Sequence, residues 1–140
     1  MNVILLFPGQ GSQKQGMGKD LAAAFPAARE TFQQIDDALG FPLSTLCFDG
    51  PNEELTLTKN AQPALYAHGA AAWASVRDIL TNRVVAAAGH SLGEATAHYA
   101  AGSLELGAGA KLVRKRGEIM YDIGSERPGT MAAVLGTLSM

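Results

Sequence analysis

The chain has 140 residues, 47% of them apolar and 17% charged, with a net charge of −2. Such a length holds one domain or part of one. The charged share lies below the usual quarter or so, which suits a much-buried α/β fold or a piece whose surface another chain covers. No basic block points to nucleic acid, and the lone Cys47 excludes an internal disulfide and offers no zinc spacing. No apolar run reaches transmembrane length, and Val3-Ile4-Leu5-Leu6-Phe7 is too short for a signal sequence. The expectation is a cytoplasmic protein that binds neither nucleic acid nor membrane.

Residues 2–7 read as a buried strand ended by Pro8-Gly9. The loop Pro8-Gly9-Gln10-Gly11-Ser12-Gln13 follows. It lacks the Gly-Lys-Ser/Thr of a phosphate loop and the glycine spacing of a dinucleotide site. It offers close backbone approach and two amide side chains, Gln10 and Gln13. Residues 19–25 and 27–39 predict short helices broken at Pro26, with Gly40-Phe41-Pro42 closing the pair, and residues 51–55 predict a short turn or helix. Residues 60–80 carry the longest helix pattern, with Asn60 as N-cap and Pro63 in the first turn. Leu65, Ala72, Trp73, Val76 and Leu80 mark its buried stripe, and His68 lies on that stripe as a core or boundary residue.

Residues 83–88 form an apolar run of strand length, followed by Gly89-His90-Ser91-Leu92-Gly93-Glu94 and a helix-prone stretch, residues 95–101. A strand, Gly-x-Ser-x-Gly and a helix make a nucleophile elbow. The glycines allow backbone to approach backbone, and the serine is left at the tip with its hydroxyl exposed. Helix N–H groups of the first turn are unpaired and carry the positive end of the dipole, so the Leu92 N–H can stabilise an oxyanion beside Ser91.

Residues 111–123 predict a further helix, with Leu112, Ile119, Met120 and Ile123 on one face. Arg116 falls on that apolar face, while Lys111, Arg114, Lys115, Glu118 and Asp122 take the solvated side. A guanidinium on an apolar stripe needs a partner. A structural salt bridge or snorkelling meets that need, and so does a fork that grips a carboxylate. Residues 129–136 predict a last strand. Strands alternating with helices imply an α/β class with a parallel sheet.

Four stretches together resemble the malonyl-CoA:acyl-carrier-protein transacylase family: Phe7-Pro8-Gly9-Gln10-Gly11-Ser12-Gln13, Thr58-Lys59-Asn60-Ala61-Gln62-Pro63-Ala64-Leu65, Gly89-His90-Ser91-Leu92-Gly93-Glu94 and Arg116-Gly117-Glu118-Ile119-Met120. Met131-Ala132-Ala133-Val134 is a fifth, weaker match. The resemblance implies an α/β-hydrolase-like parallel-sheet core over residues 1–126. Residues 127–140 would begin an inserted ferredoxin-like subdomain, truncated at its first strand. It implies malonyl transfer from malonyl-CoA to the phosphopantetheine thiol of acyl carrier protein, in fatty acid biosynthesis, without metal or cofactor. Ser91 is then the nucleophile, Gln10 and Leu92 form the oxyanion site, Arg116 holds the malonate carboxylate and Gln62 lines the cleft. An acyltransferase portion excised from a polyketide synthase, an α/β-hydrolase esterase, and a non-catalytic fragment that binds carrier protein or a complementary chain are the competing readings.

A serine nucleophile needs a base. His90 adjoins Ser91 on a strand end, where neighbours point to opposite faces. His98 lies seven residues along the following helix, roughly 10 Å along its axis. His68 belongs to another helix. None of the three is read as the base. The resemblance places the catalytic histidine in the family's carboxyl half, beyond residue 140. By that reading residues 1–140 do not turn over unaided, and a chain supplying the carboxyl half is an expected partner.

Overall fold

Pro63 sits inside the longest helix of the molecule, and the elements on either side are arranged around that helix. A computed structural model describes residues 1–127 and residue 129. The order is β1 (Val3–Phe7), α1 (Lys19–Ala24), α2 (Pro26–Leu39), α3 (Leu43–Asp49), α4 (Asn52–Thr56), α5 (Thr58–Leu80), a 3₁₀ turn (Thr81–Arg83), β2 (Val84–Gly89), α6 (Gly93–Ala100) and α7 (Leu106–Glu126). The described residues are thus mostly helical, with a two-stranded parallel sheet. Helix α3 was not expected. The strand expected over residues 129–136, and with it the small subdomain expected over residues 127–140, falls almost wholly outside the described residues.

Helix α5 is the centre of the core. Every residue from Asn60 to Ala67 is buried, as are Ala70, Ala71 and Trp73. A helix apolar all round is a core helix rather than a surface one, so burial reaches beyond the single stripe read from the sequence. Ala72, Val76 and Leu80 of that stripe are only half-buried. Phe32 and Ile35 of α2, Leu43 and Cys47 of α3, Leu55 of α4, and Ala110 and Val113 of α7 complete the same cluster. Burial pushes the Cys47 thiol up to about 12, as expected of a buried apolar-like cysteine.

Helix α5 begins at Thr58, with Leu57 as its N-cap, and Asn60 is not the cap. The Asn60 side chain instead donates from Nδ2 to the Glu54 carbonyl at 2.8 Å, tying α4 to α5. Pro63 therefore lies deeper than the first turn. Helix α7 begins at Leu106, five residues before the expected start. Its early glycines are packing sites. A Cβ on Gly109 would lie 2.1 Å from the Tyr66 hydroxyl, which donates to the Leu106 carbonyl at 3.1 Å.

Strands β1 and β2 pair in parallel, Leu5 opposite Ala87 and Phe7 opposite Gly89. One sheet face meets α5 and α6. A Cβ on Gly69 of α5 would lie 2.9 Å from Thr96 Cγ2 and 3.2 Å from Phe7 Cδ1. On the other face Ile4 and Leu6 are exposed, Leu6 to 75%. Among the described residues no helix is long and apolar enough to cross a membrane.

Candidate active site

The elbow forms as its glycines require. A Cβ on Gly89 would lie 2.0 Å from the Gly93 carbonyl carbon, and one on Gly93 would lie 2.5 Å from the Phe7 carbonyl oxygen. Neither position has room for a side chain. The turn closes through Gly93 N–H to the His90 carbonyl (2.9 Å) and Glu94 N–H to the Ser91 carbonyl (3.1 Å). Ser91 has φ 57°, making it the one non-glycine described with a positive φ. A positive φ is costly for a residue with a side chain, and here it leaves an exposed serine at the tip of the turn. Leu92 is buried, and its N–H has no backbone acceptor among the described residues.

Arg116 comes to Ser91 from α7. Its Nη2 donates to Ser91 Oγ at 3.0 Å and its Nη1 to Gln62 Oε1 at 2.6 Å. Gln62 is buried in α5, and its Nε2 donates to Met120 Sδ at 3.3 Å. Among the described residues no carboxylate lies within 4.0 Å of Arg116, so the salt-bridge alternative has no partner there. The stripe that carries Arg116 is real but faces outward, with Leu112, Ile119, Met120 and Ile123 exposed. Helix α7 buries small residues instead: Gly109, Ala110, Val113 and Gly117. Large apolar side chains dominate a hydropathy reading, whereas close helix packing selects small ones.

The assignment of Arg114 to a solvated face is likewise corrected. Arg114 is part-buried, donating from Nη1 to the Lys59 carbonyl and Asn60 Oδ1 and from Nε to Glu118. The Glu118 pair, four residues on, is open to a sequence reading, but the Nη1 acceptors lie on another helix and left no sign in the sequence. Gly117 is a second residue not singled out for itself: a Cβ there would lie 2.8 Å from the Thr58 carbonyl oxygen.

Gln10, expected beside Ser91, donates from Nε2 to Thr58 Oγ1 at 3.1 Å. Gly11 N–H is bonded to Gln13 Oε1 at 2.8 Å, which shapes the loop after β1.

The histidines fall in three places. His90 packs its ring on Gly9, where a Cβ would lie 2.5 Å from Nδ1, and its backbone N–H donates to the Phe7 carbonyl. His68 lines a different cavity together with Lys14, Met17 and Leu65. Burial, and then the nearby Lys14 charge, hold its pKa below the ordinary value. His98 faces the site although it lies seven residues along α6. It lines the same cavity of about 310 Å³ as Ser91, Ala95, Leu112 and Arg116. Ala95 and His98, three apart, share one face of α6. Its Nδ1 pairs with Ser103 Oγ at 3.0 Å, and among the described residues no histidine bonds Ser91 Oγ.

A serine on an elbow, an adjoining N–H without a backbone acceptor and a guanidinium without a carboxylate, both as seen among the described residues, can together hold an acyl ester with a distant negative charge. Residues 4–139 match the acyl transferase domain family. The chain is 47% identical over 135 residues to the malonyl CoA-acyl carrier protein transacylase of Bacillus subtilis strain 168, covering 96% of this chain and 42% of that protein. It is 40% identical to the protein of that name from Escherichia coli K12, covering 94% and 42%. The crystal structure of the acyl-carrier-protein S-malonyltransferase of Bartonella henselae superposes with a TM-score of 0.82 at 47% identity, covering 86% of this chain and 39% of that one. A malonyl-transacylase in complex with a type II polyketide synthase acyl-carrier protein also superposes at 0.82, with 41% identity, covering 87% and 40%. The chain spans about two fifths of the length of these relatives, whose fold is α/β. Because the family match runs unbroken through β1, the elbow and α7, the chain belongs to the acyl transferase domain family.

Proposed function

We propose that this chain is the nucleophile-bearing portion of a malonyl-CoA:acyl-carrier-protein transacylase of fatty acid biosynthesis. One observation carries the reading: Arg116, without a carboxylate partner among the described residues, lies 3.0 Å from Ser91 Oγ and is held by Gln62. A guanidinium so placed fits the free carboxylate of a malonyl group esterified to Ser91. An ordinary esterase has no use for a cation there.

The reaction is ping-pong acyl transfer. Ser91 Oγ attacks the thioester carbonyl and gives its proton to a base. The tetrahedral oxyanion faces the Leu92 N–H, a donor of the kind worth roughly 10²–10³ in rate. Gln10 supplies a second donor once its amide leaves Thr58. The C–S bond breaks and CoA departs as the protonated thiol. The pantetheine thiol of the carrier protein then attacks malonyl-Ser91, and Ser91 regains its proton. Gln62 orients Arg116, and Arg116 favours malonyl over acetyl because only the acid satisfies it.

The base belongs to the family's carboxyl half in this reading, since His68, His90 and His98 do not engage Ser91. The core is then α/β-hydrolase-like over residues 1–126, the small subdomain starts at residue 127, and the protein works in the cytoplasm. The open sheet face supports a partner that supplies the remainder, because parallel sheets are normally covered on both faces. Mass spectrometry tests the proposal. The chain is incubated with malonyl-CoA, alone and mixed with the carboxyl portion of the Bacillus subtilis relative. Malonyl on Ser91 in the mixture, absent from Ser91→Ala, is expected. No malonyl in the mixture, with no response of Arg116 to malonate, would sink it.

A further inference from the structure

Pro63 lies in α5 with no N–H to give, and an α-helix would direct that N–H to the carbonyl of Lys59, four residues back. Something else must satisfy that carbonyl. Arg114 of α7 does so: its Nη1 donates to the Lys59 carbonyl at 2.9 Å and to Asn60 Oδ1 at 2.7 Å. Its Nε donates to Glu118 at 2.7 Å, and its guanidinium carbon lies 4.9 Å from the centre of the Phe41 ring. Asn60 in turn donates to the Glu54 carbonyl. The guanidinium is thus fixed by acceptors on α5 and α7 and by an aromatic face.

The geometry points to Arg114 as a positioning residue for Arg116, acting through the Lys59 carbonyl that Pro63 leaves without a helical donor. Gln62, the residue before Pro63, receives Arg116 Nη1 at 2.6 Å. Two arginines of α7, two residues apart, therefore seize the same turn of α5, Arg114 by its backbone and Arg116 by Gln62. Gly117, the residue after Arg116, rests on the Thr58 carbonyl, which lets α7 come this close. When Arg114 lets go, the stranded Lys59 carbonyl turns toward water, the turn carrying Gln62 shifts, and Arg116 loses its seat. A simple exposed pair with Glu118 accounts for Nε alone and leaves both acceptors of Nη1 unexplained. The consequence for catalysis rests on the proposed carboxylate role of Arg116. The structural coupling does not.

The test is a cycle of Arg114→Gln and Pro63→Ala, read by side-chain nitrogen NMR of Arg116. Alanine at 63 restores the N–H that Lys59 lacks and removes the need for Arg114. Separate Nη1 and Nη2 resonances are expected in the wild type, merged ones in Arg114→Gln, and separate ones again in the double variant. Glu118→Gln, which removes only the ion pair, should leave them separate. Malonate affinity should fall at least tenfold in Arg114→Gln and recover to within about threefold in the double variant. Equal loss in both backgrounds, or the same loss from Glu118→Gln, overturns the proposal. If Arg114→Gln does not fold, a folded double variant with separate Arg116 resonances supports it and an unfolded one overturns it. Arg116 resonances that follow this cycle yet ignore malonate would refute the carboxylate reading and leave the positioning role standing.

Discussion

Gly117 lies so close to Thr58 that a Cβ would sit 2.8 Å from the Thr58 carbonyl oxygen and 3.0 Å from Lys59 Cα. Backbone, unlike a flexible side chain, cannot swing aside. Gly117→Ala should therefore push α7 off α5 and separate Arg116 from Gln62. Overpacking of this kind costs about 1–3 kcal/mol, against a helix-propensity gain of about 1 kcal/mol. A net drop in melting temperature is expected, together with loss of the malonate response at Arg116. A more stable variant with an unchanged response would show that α7 yields freely.

Arg116→Lys keeps the charge and loses the fork. Lysine cannot reach Gln62 and a ligand on Ser91 in one planar geometry. Hydrogen bonds to charged groups are worth about 1.5–3 kcal/mol, so malonate affinity should fall roughly ten- to a hundredfold. Titration calorimetry at fixed ionic strength measures it. An affinity within twofold of wild type would exclude a bidentate role.

Two glycines should respond in opposite directions. Gly93→Ala places a methyl 2.5 Å from the Phe7 carbonyl oxygen and 2.8 Å from that of Pro8, so the elbow must open and the chain lose stability. Gly124 lies within α7 with nothing within 4 Å of an added Cβ. Gly124→Ala should stabilise by about 0.5–1 kcal/mol through helix propensity. Thermal melts of the two variants decide, and two shifts of the same sign would contradict the packing described.

His68 gives a pH dependence with a definite sign. Burial lowers its pKa below 6.5, so the fold favours the neutral ring. Its contribution is present above pH 6.5 and is lost as pH falls through the lowered value. Melting temperature should drop more steeply below pH 6.5 in the wild type than in His68→Leu. Parallel curves would mean that the ring is not desolvated in solution.

The elbow was legible because it is local. A strand, two glycines four apart and a helix fix the turn within a dozen residues, and the two clashes expected of side chains at Gly89 and Gly93 are there. The early glycines of α7 were not legible as helix, since their packing partners, Ala38 for Gly107 and Tyr66 for Gly109, lie on other elements.

By itself, then, the sequence determined the serine, its turn and the parallel strand beside it, singled out Arg116 by its place on an apolar face, and through the resemblance added Gln62. Only the tertiary structure decided which face of α7 packs, that Arg116 reaches Gln62 and Ser91, and that Arg114 takes the carbonyl stranded by Pro63. The physical reason is distance along the chain. Turn sterics act between neighbours, whereas the Arg116–Gln62 and Arg114–Lys59 contacts span 54 and 55 residues and exist only once α7 lies on α5.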